Sequence, residues 1–326
     1  MRLRNVFLIA IVFCANLCCG AEEKKQYSYK FEVGQQYHVK HILQRKVEPK
    51  GDRNEGITVE QKFSFDYGVL VKEVGDDGGA WLEFRYDGIS IEQKDFEKQV
   101  SYDSAKDGDN ISPLLWGYKA MLGEVFQVKI SRLGEIEQVK GFIEVHQSVK
   151  EKIKPNPGKK MQVRQIQSQF NDVLLRELLM NLTDIYTDKK VGKGDSWNKS
   201  FDVSYDAQLE FNNKFKLNDV TDDGFAVIGL ETKIRTKFGA KPVTNGSMKL
   251  KSKSSGSQSG IIRVNESTGE IISSDINQKI TTVTEVISSD AQTPRSNNVE
   301  VESSIHFEFK KIDEPKVEVE NKQPDL

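Results

Sequence analysis

Two spacings of apolar residues organise this chain. From Phe142 to Tyr186 they recur every three or four positions, and on either side of that stretch they alternate with polar residues. A period near 3.6 puts one stripe on a helix; a period of two puts one face on a strand. Val163, Ile166, Phe170, Val173 and Leu174 form such a stripe, which widens through Leu178, Leu179, Met180, Leu182 and Ile185 until it covers most of the circumference. Upstream, Phe142, Val145, Val149 and Ile153 keep the period as far as Pro155-Asn156-Pro157-Gly158. There the proline rings exclude the helical hydrogen bond and disfavour helix in the residue before them. The pattern predicts a helical hairpin over 142–190, flanked by two β-rich halves.

In the first half, 21–141, Tyr27, Tyr29, Phe31 and Val33 alternate with polar residues, Gly34-Gln35-Gln36 turns the chain, and Tyr37, Val39, His41 and Leu43 resume the alternation. This predicts an antiparallel hairpin. Lys46 to Gly56 is charged, contains Pro49 and Gly51, and is expected to be a loop. Val59, Gln61, Phe63, Phe65 and Tyr67 form the next strand face, and Asp76-Asp77-Gly78-Gly79 turns it into a strand through Leu82, Phe84 and Tyr86, since glycine accepts the positive φ of a tight hairpin. Ser112-Pro113 predicts a short capped helix ending at Gly123. Strands through Phe126, Val128 and Ile130 and through Ile136 and Val139 follow, joined at Leu133-Gly134.

The second half, 191–312, repeats features of the first. Asp222-Asp223-Gly224 with Ala226 and Ile228 matches Asp76-Asp77-Gly78 with Ala80 and Leu82, and at the same offset Phe65 matches Phe211 and Val71 matches Leu217. Gly269-Glu270-Ile271 echoes Gly134-Glu135-Ile136, and Gly194 with Trp197 parallels Gly34 with Tyr37. An internal duplication with insertions is the expected reading. Ser247 to Gly260, rich in serine, lysine and glycine, reads as an exposed strand pair or a plain loop. Val299, Val301, Ser303, Ile305, Phe307 and Phe309 form one face of a long strand with a polar opposite face. The charged, proline-bearing stretch 313–326 is expected to be a disordered tail.

Composition narrows the chemistry. Arg2 and Arg4, an apolar run from Val6 to Phe13, and small residues at Cys18 and Gly20 describe an export leader over 1–20. All three cysteines, Cys14, Cys18 and Cys19, fall inside it, so cleavage leaves neither disulfide nor thiolate, while acylation of Cys18 or Cys19 would make a lipoprotein. The expected location is therefore exported, periplasmic or secreted. The formal charge of −2, from 47 basic and 49 acidic residues of interspersed sign, offers no basic stripe for nucleic acid or anionic lipid. Beyond the leader no apolar run approaches the ~18 residues of a transmembrane helix.

The inventory of reactive groups points away from an enzyme. Only His38, His41, His146 and His306 could act as imidazole bases, and none lies near a glycine-flanked serine. Gly256-Ser257-Gln258-Ser259-Gly260 imitates a hydrolase elbow but carries Gln258 where the nucleophile would stand. His38 and His41, three apart on a strand, point to opposite faces, so they do not share a metal; His41 reads as a satisfied core histidine. No cofactor and no metal is expected. The candidate ligand-binding residues are Phe170, Leu174 and Leu178 on the helical stripe, together with Trp81 and Trp116. Their bland alternatives are core packing for the stripe and anchoring under a loop for the tryptophans.

The opening Tyr29-x-Phe31-x-x-Gly34-x-x-Tyr37, the run from Leu122-Gly123 into Ser131-x-x-Gly134-x-Ile136 and Gly141, and the later Val191-Gly192-x-Gly194-Asp195-Ser196-Trp197 resemble a family of exported, uncharacterised bacterial proteins classed as a domain of unknown function. These motifs are turn and packing signatures, and the resemblance implies no catalytic residue. A curved antiparallel sheet holding helices is similar in shape to the lipoprotein-carrier fold of the bacterial envelope. The expectation is an α+β, mostly antiparallel β protein of two related curved β-sheet halves with a central helical hairpin packed against them. It is expected to hold an apolar ligand or lipid between sheet and helix, or else to serve as an interaction or structural module whose partner is an envelope protein.

Overall fold

The structure, a computed structural model, describes residues 24–50, 57–95, 98–108, 111–153, 158–169, 179, 183–204, 208–245, 248–287 and 295–312. The leader 1–20, the Pro155-Asn156-Pro157 break and the tail 313–326 lie outside them. Thirteen strands dominate: β1 (Gln36–Lys50), β2 (Val59–Val74), β3 (Ala80–Lys94), β4 (Gln99–Asp103), β5 (Val125–Ile130), β6 (Ile136–Lys140), β7 (Ser196–Ser204), β8 (Gln208–Val220), β9 (Phe225–Thr236), β10 (Val243–Asn245), β11 (Met248–Asn265), β12 (Ile271–Ile287) and β13 (Arg295–Ile312). Among the described residues the helices are α1 (Trp116–Ala120), preceded by a 3-10 turn at Pro113–Leu115, α2 (Phe142–Lys152) and α3 (Lys159–Gln169).

All strands belong to one open antiparallel sheet in the order β6-β5-β3-β2-β1-β13-β12-β11-β9-β8-β7, with β4 beside β3 and β10 beside β11. The two strand-rich halves are continuous through β1 and β13, which pair from Gln36↔Ile312 to Lys50↔Asn298. The free edges are β6 and β7, strands consecutive in the sequence, with the helical segment between them. One contiguous core joins Phe126, Ile130 and Ile136 near the first edge to Trp197, Phe215 and Ile228 near the second, and the segment 183–186 links the two ends, bonding to Gly134 in the β5–β6 turn and to Trp197 of β7.

Two extended segments fasten that closure. The alternating stretch after Lys25 is not the predicted strand: apart from the single bridge Lys25↔Val191 it joins no ladder. Its alternation reflects burial, since Tyr27 and Tyr29 pack on Tyr186, the Tyr29 ring meeting that of Tyr186 edge-on at 5.1 Å. Tyr29 N–H donates to Arg132 O at 2.9 Å in the β5–β6 turn, and Lys30 N–H to Thr268 O at 2.9 Å in the β11–β12 turn. From the other segment, Thr183 Oγ1 donates to Gly134 O at 2.7 Å and Tyr186 Oη to Gly269 O at 2.5 Å. Trp197 Nε1 donates to Ile185 O at 2.8 Å, and Lys199 pairs with the buried Asp184. The two turns thus meet the two segments at glycines: a Cβ on Gly134 would lie 1.6 Å from Thr183 O, and one on Gly269 would lie 2.0 Å from Ser28 O.

Other local expectations are revised. β1 runs through Lys50, so Lys46 to Lys50 is strand; Pro49 pairs with Val299 of β13 alone because the β2 register ends at Val47↔Val59, and a strand tolerates proline where a neighbour is missing. Of the two readings for Ser247 to Gly260 the strand holds over the described part: Met248 to Gly260 is the first part of β11, paired with β12 from Lys249 and with β9 from Ser255. A Cβ on Gly256 or Gly260 would lie 2.3 Å from a carbonyl of β12, so these glycines permit a close backbone approach. Ser112 precedes the 3-10 turn with Pro113 in place, but its side chain makes no capping bond.

Gly134 has φ +98 and a carbonyl against its Cα, whereas Gly224 has φ +81 and nothing within 4 Å. Gly224→Ala is therefore expected to lose only the left-handed backbone preference, about 1 kcal/mol. Gly134→Ala must also displace the 183–186 segment and is expected to lose roughly 3 kcal/mol or more. Urea unfolding midpoints of the two variants test the difference.

Candidate functional site

The core faces of the central strands leave an apolar cleft beneath the helical segment. β1 contributes Tyr37, Val39 and His41, β2 Tyr67 and Val69, β3 Leu82 and Phe84, β5 Phe126 and Ile130, and β13 Phe307 and Phe309. Tyr29 and Phe31 of the leading segment line it too, with Leu179 and Thr183 from the helical side. The strand side chains converge because they occupy alternate positions on strands whose other face is solvated. The cavity measures about 70 Å3. That is about half of the ~150 Å3 engineered void that admits benzene, so it suits a short apolar group rather than a whole lipid.

Two polar features interrupt the lining. His41 is 2% exposed, its ring lies 4.2 Å from that of Phe307 at 5°, and neither ring nitrogen has a hydrogen-bond partner. Burial lowers its pKa to about 3, so the imidazole is neutral near pH 7. The expected core position is correct; the expected satisfaction is not, because the strand neighbours facing His41 are Phe65 and Phe307. His38 is exposed on the opposite face, 3.5 Å from Asp66. At the cleft margin the Tyr37 hydroxyl donates to Glu270 at 2.5 Å, and burial, followed by that carboxylate, raises the Tyr37 pKa.

Four residues beyond His41 on β1, past the apolar position Leu43, the same face carries a polar belt. Gln93, Gln61, Arg45, Ser303, Gln278, Gln258, Thr232, Asn213 and Lys199 stand directly opposite one another on nine neighbouring strands. Arg45 donates to Gln61 at 2.5 Å and Gln61 to Gln93 at 3.0 Å. Gln278 donates to Gln258 at 3.1 Å, and Thr232 to Asn213 at 2.8 Å. Lys199 ends the row on Asp184, whose pKa burial raises in spite of that pairing. The adjoining rows are apolar: Phe63, Leu43, Ile305, Ile276, Gly260, Leu230, Phe215 and Trp197 on the cleft side, and Val59, Val47, Val301, Ile280, Gly256, Ile234, Phe211 and Phe201 beyond. Among the described residues no group of three His, Cys, Asp or Glu side chains could hold a metal ion.

The model of a family of unknown function, DUF6263, matches residues 77–271, more than half of the chain. The chain belongs to DUF6263. No curated protein matches its sequence. Among solved structures it is similar to lipovitellin, studied for its lipid–protein interactions, at 9% identity and TM-score 0.41, covering 86% of this chain and 25% of that one. It is also similar to the translocator domain of the autotransporter NalP from Neisseria meningitidis at 6% identity and TM-score 0.20, covering 85% and 89%. The chain thus spans only a quarter of the lipovitellin chain, and neither TM-score reaches that of a shared fold.

Of the residues singled out in this DUF6263 sequence, Phe170, Leu174 and Leu178 lie outside the described residues, while their neighbour Leu179 reaches the cleft. Trp81 faces away from the core, with Lys140 Nζ 3.9 Å from its ring centroid, and Trp116 is half-buried against the core; neither lines the cleft. His41, Tyr37 and Glu270 were not expected as site residues. The signal for the first two was their shared phase with Val39 on β1, and for Glu270 its place in the repeated Gly-Glu-Ile turn.

Since His41 binds its proton more weakly folded than unfolded, the unfolded chain takes up more protons between about pH 3 and the usual histidine value, and stability falls as pH drops through that window. His41→Phe removes this pH dependence. The stability gap in favour of the variant is expected to widen by up to about 1.4 kcal/mol per pH unit between pH 6 and 4, read from urea unfolding. In the belt, Thr232→Val leaves the Asn213 amide oxygen buried and unpaired, an expected loss of about 1–3 kcal/mol. Adding Asn213→Leu is expected to recover part of it, which the same unfolding series measures.

Proposed function

We propose that this DUF6263 protein is exported, periplasmic or secreted, and holds an apolar group in the cleft between its sheet and the side chains of Leu179 and Thr183 without catalysing a reaction. The observation that carries this reading is the cleft itself: a cavity of about 70 Å3, walled by aromatic and aliphatic side chains of β1, β2, β3, β5 and β13 together with Tyr29, Phe31 and Leu179. Its size suits one end of an acyl chain entering from outside. Export rests on the leader-like sequence at 1–20.

Within this reading the halves are two copies of one unit. Gly34 N–H donates to Val71 O and Gly194 N–H to Leu217 O, while Val71 N–H donates to Gln35 O and Leu217 N–H to Asp195 O. The register shifts after Val71 in β2 and after Leu217 in β8, the positions matched in the sequence. Such equivalent bulges support duplication, because a bulge is a specific local device. The stretch 142–190 between the copies would be the helical hairpin. The small cavity also favours a second reading, an interaction or structural module with no small-molecule ligand.

Native mass spectrometry of protein purified from an exporting host without detergent distinguishes the two. A discrete adduct in the lipid range, or uptake of added long-chain fatty acid, is expected, and Leu179→Gln is expected to abolish it while circular dichroism stays unchanged. A clean mass that gains nothing from added fatty acid would overturn the ligand reading in favour of the module.

A further inference from the structure

At the far end of β9, distant in sequence from the cleft, Phe238 is 100% exposed. It stands at the tip of the turn into β10, where Gly239 takes φ +77. Single exposed apolar residues are common, so the ring alone carries little. Its surroundings give it meaning. Lys249, Lys251 and Lys253 alternate along the exposed face of β11, and Lys241 follows the turn. Among the described residues, none of these four lysines has a carboxylate within ion-pair reach, and Lys251 has Glu285 as its opposite in register. The other cations here are neutralised: Lys237 by Asp202 and Arg235 by Glu210. A hollow of about 280 Å3 beside the ring is walled by Lys237, Lys241, Lys251 and Lys253, with the apolar Val243 and Leu250. In a chain of formal charge −2, whose interspersed charges promised no basic stripe for anionic lipid, the fold nevertheless gathers a local cationic excess around one protruding aromatic ring.

We propose that the Phe238 tip docks on a bilayer surface bearing anionic lipid headgroups. A folded protein partner would need a pocket shaped for the ring and a broad apolar surface around it, and here the ring is flanked by four lysines with Val243 and Leu250 as its large apolar neighbours. A bilayer needs neither. The ring enters the acyl boundary, and the lysines extend their stems along it while their ammonium groups meet phosphates. This docking is independent of the cleft and stands whether or not the cleft holds a ligand.

The test is sedimentation of the purified protein with sucrose-loaded vesicles of phosphatidylcholine alone or mixed with phosphatidylglycerol. Binding is expected to the mixed vesicles only and to weaken with salt. Lys241→Glu combined with Lys251→Glu is expected to lower the partition coefficient roughly tenfold or more. Phe238→Ser is expected to lower it about tenfold, and both variants, altered only at exposed positions, are expected to keep the wild-type circular dichroism. Phe238→Trp should add a fluorescence component that shifts to the blue on mixed vesicles. Equal binding to both vesicle types, no binding to either, or Phe238→Ser binding like wild type would each overturn the proposal. Binding to heparin or to a polyaspartate peptide without binding to vesicles would also overturn it and assign the patch to an acidic macromolecule.

Discussion

A sheet that begins at β6 and ends at β7 has two rows of unpaired backbone groups, and the rest of this molecule depends on how those ends are brought together. The clasp works by exchange. The segment leading into the first half, through Tyr29 and Lys30, bonds to turns of both halves, and the segment leading into the second half, through Thr183 and Tyr186, does the same. Tyrosine suits the task because its ring fills the core while its hydroxyl reaches a backbone carbonyl that would otherwise be buried unpaired. Because the closure sits at the turn end of the strands, it also fixes the roof over the cleft.

The polar belt is the second organising feature, and it has a cost. Burying amides and a guanidinium among apolar rows is unfavourable unless each finds a partner, and the cross-strand register supplies those partners side by side. Register and polarity therefore specify one another. A slip of one residue in any strand would turn its belt member to the solvated face and leave the neighbour's amide without its bond. His41 lies outside this arrangement and has no such partner.

Much of the strand pattern was legible because it rests on local chemistry. Asp76-Asp77-Gly78 and Asp222-Asp223-Gly224 turn where the sequence places them, and the alternation from Val299 to Phe309 is the core face of β13. What could not be read depended on distant neighbours. The serines and glycines of β11 resemble a loop until β9 and β12 are seen to flank them, and Tyr27 and Tyr29 alternate as a strand would although their partners are turns. Gln61 and Ser303 were visible as members of apolar faces, but nothing in one strand announces that nine strands place a polar residue at the same height. The helical period was plain, yet Phe170, Leu174 and Leu178 fall outside the described residues, and the cleft drew its polar members from β1 and the β11–β12 turn.

The pairing of β1 with β13 has a kinetic side. Every other ladder in the sheet's main path joins strands within one half of the chain, the longest of these closures being that of β3 on β5 around β4 and α1. The β1–β13 ladder must instead bring together strands near the two ends of the described chain, the most expensive closure among the described ladders. Two meanders can therefore assemble independently, each from its own hairpins, and the central strands that wall the cleft become a single surface only when the first strand of one finds the last strand of the other.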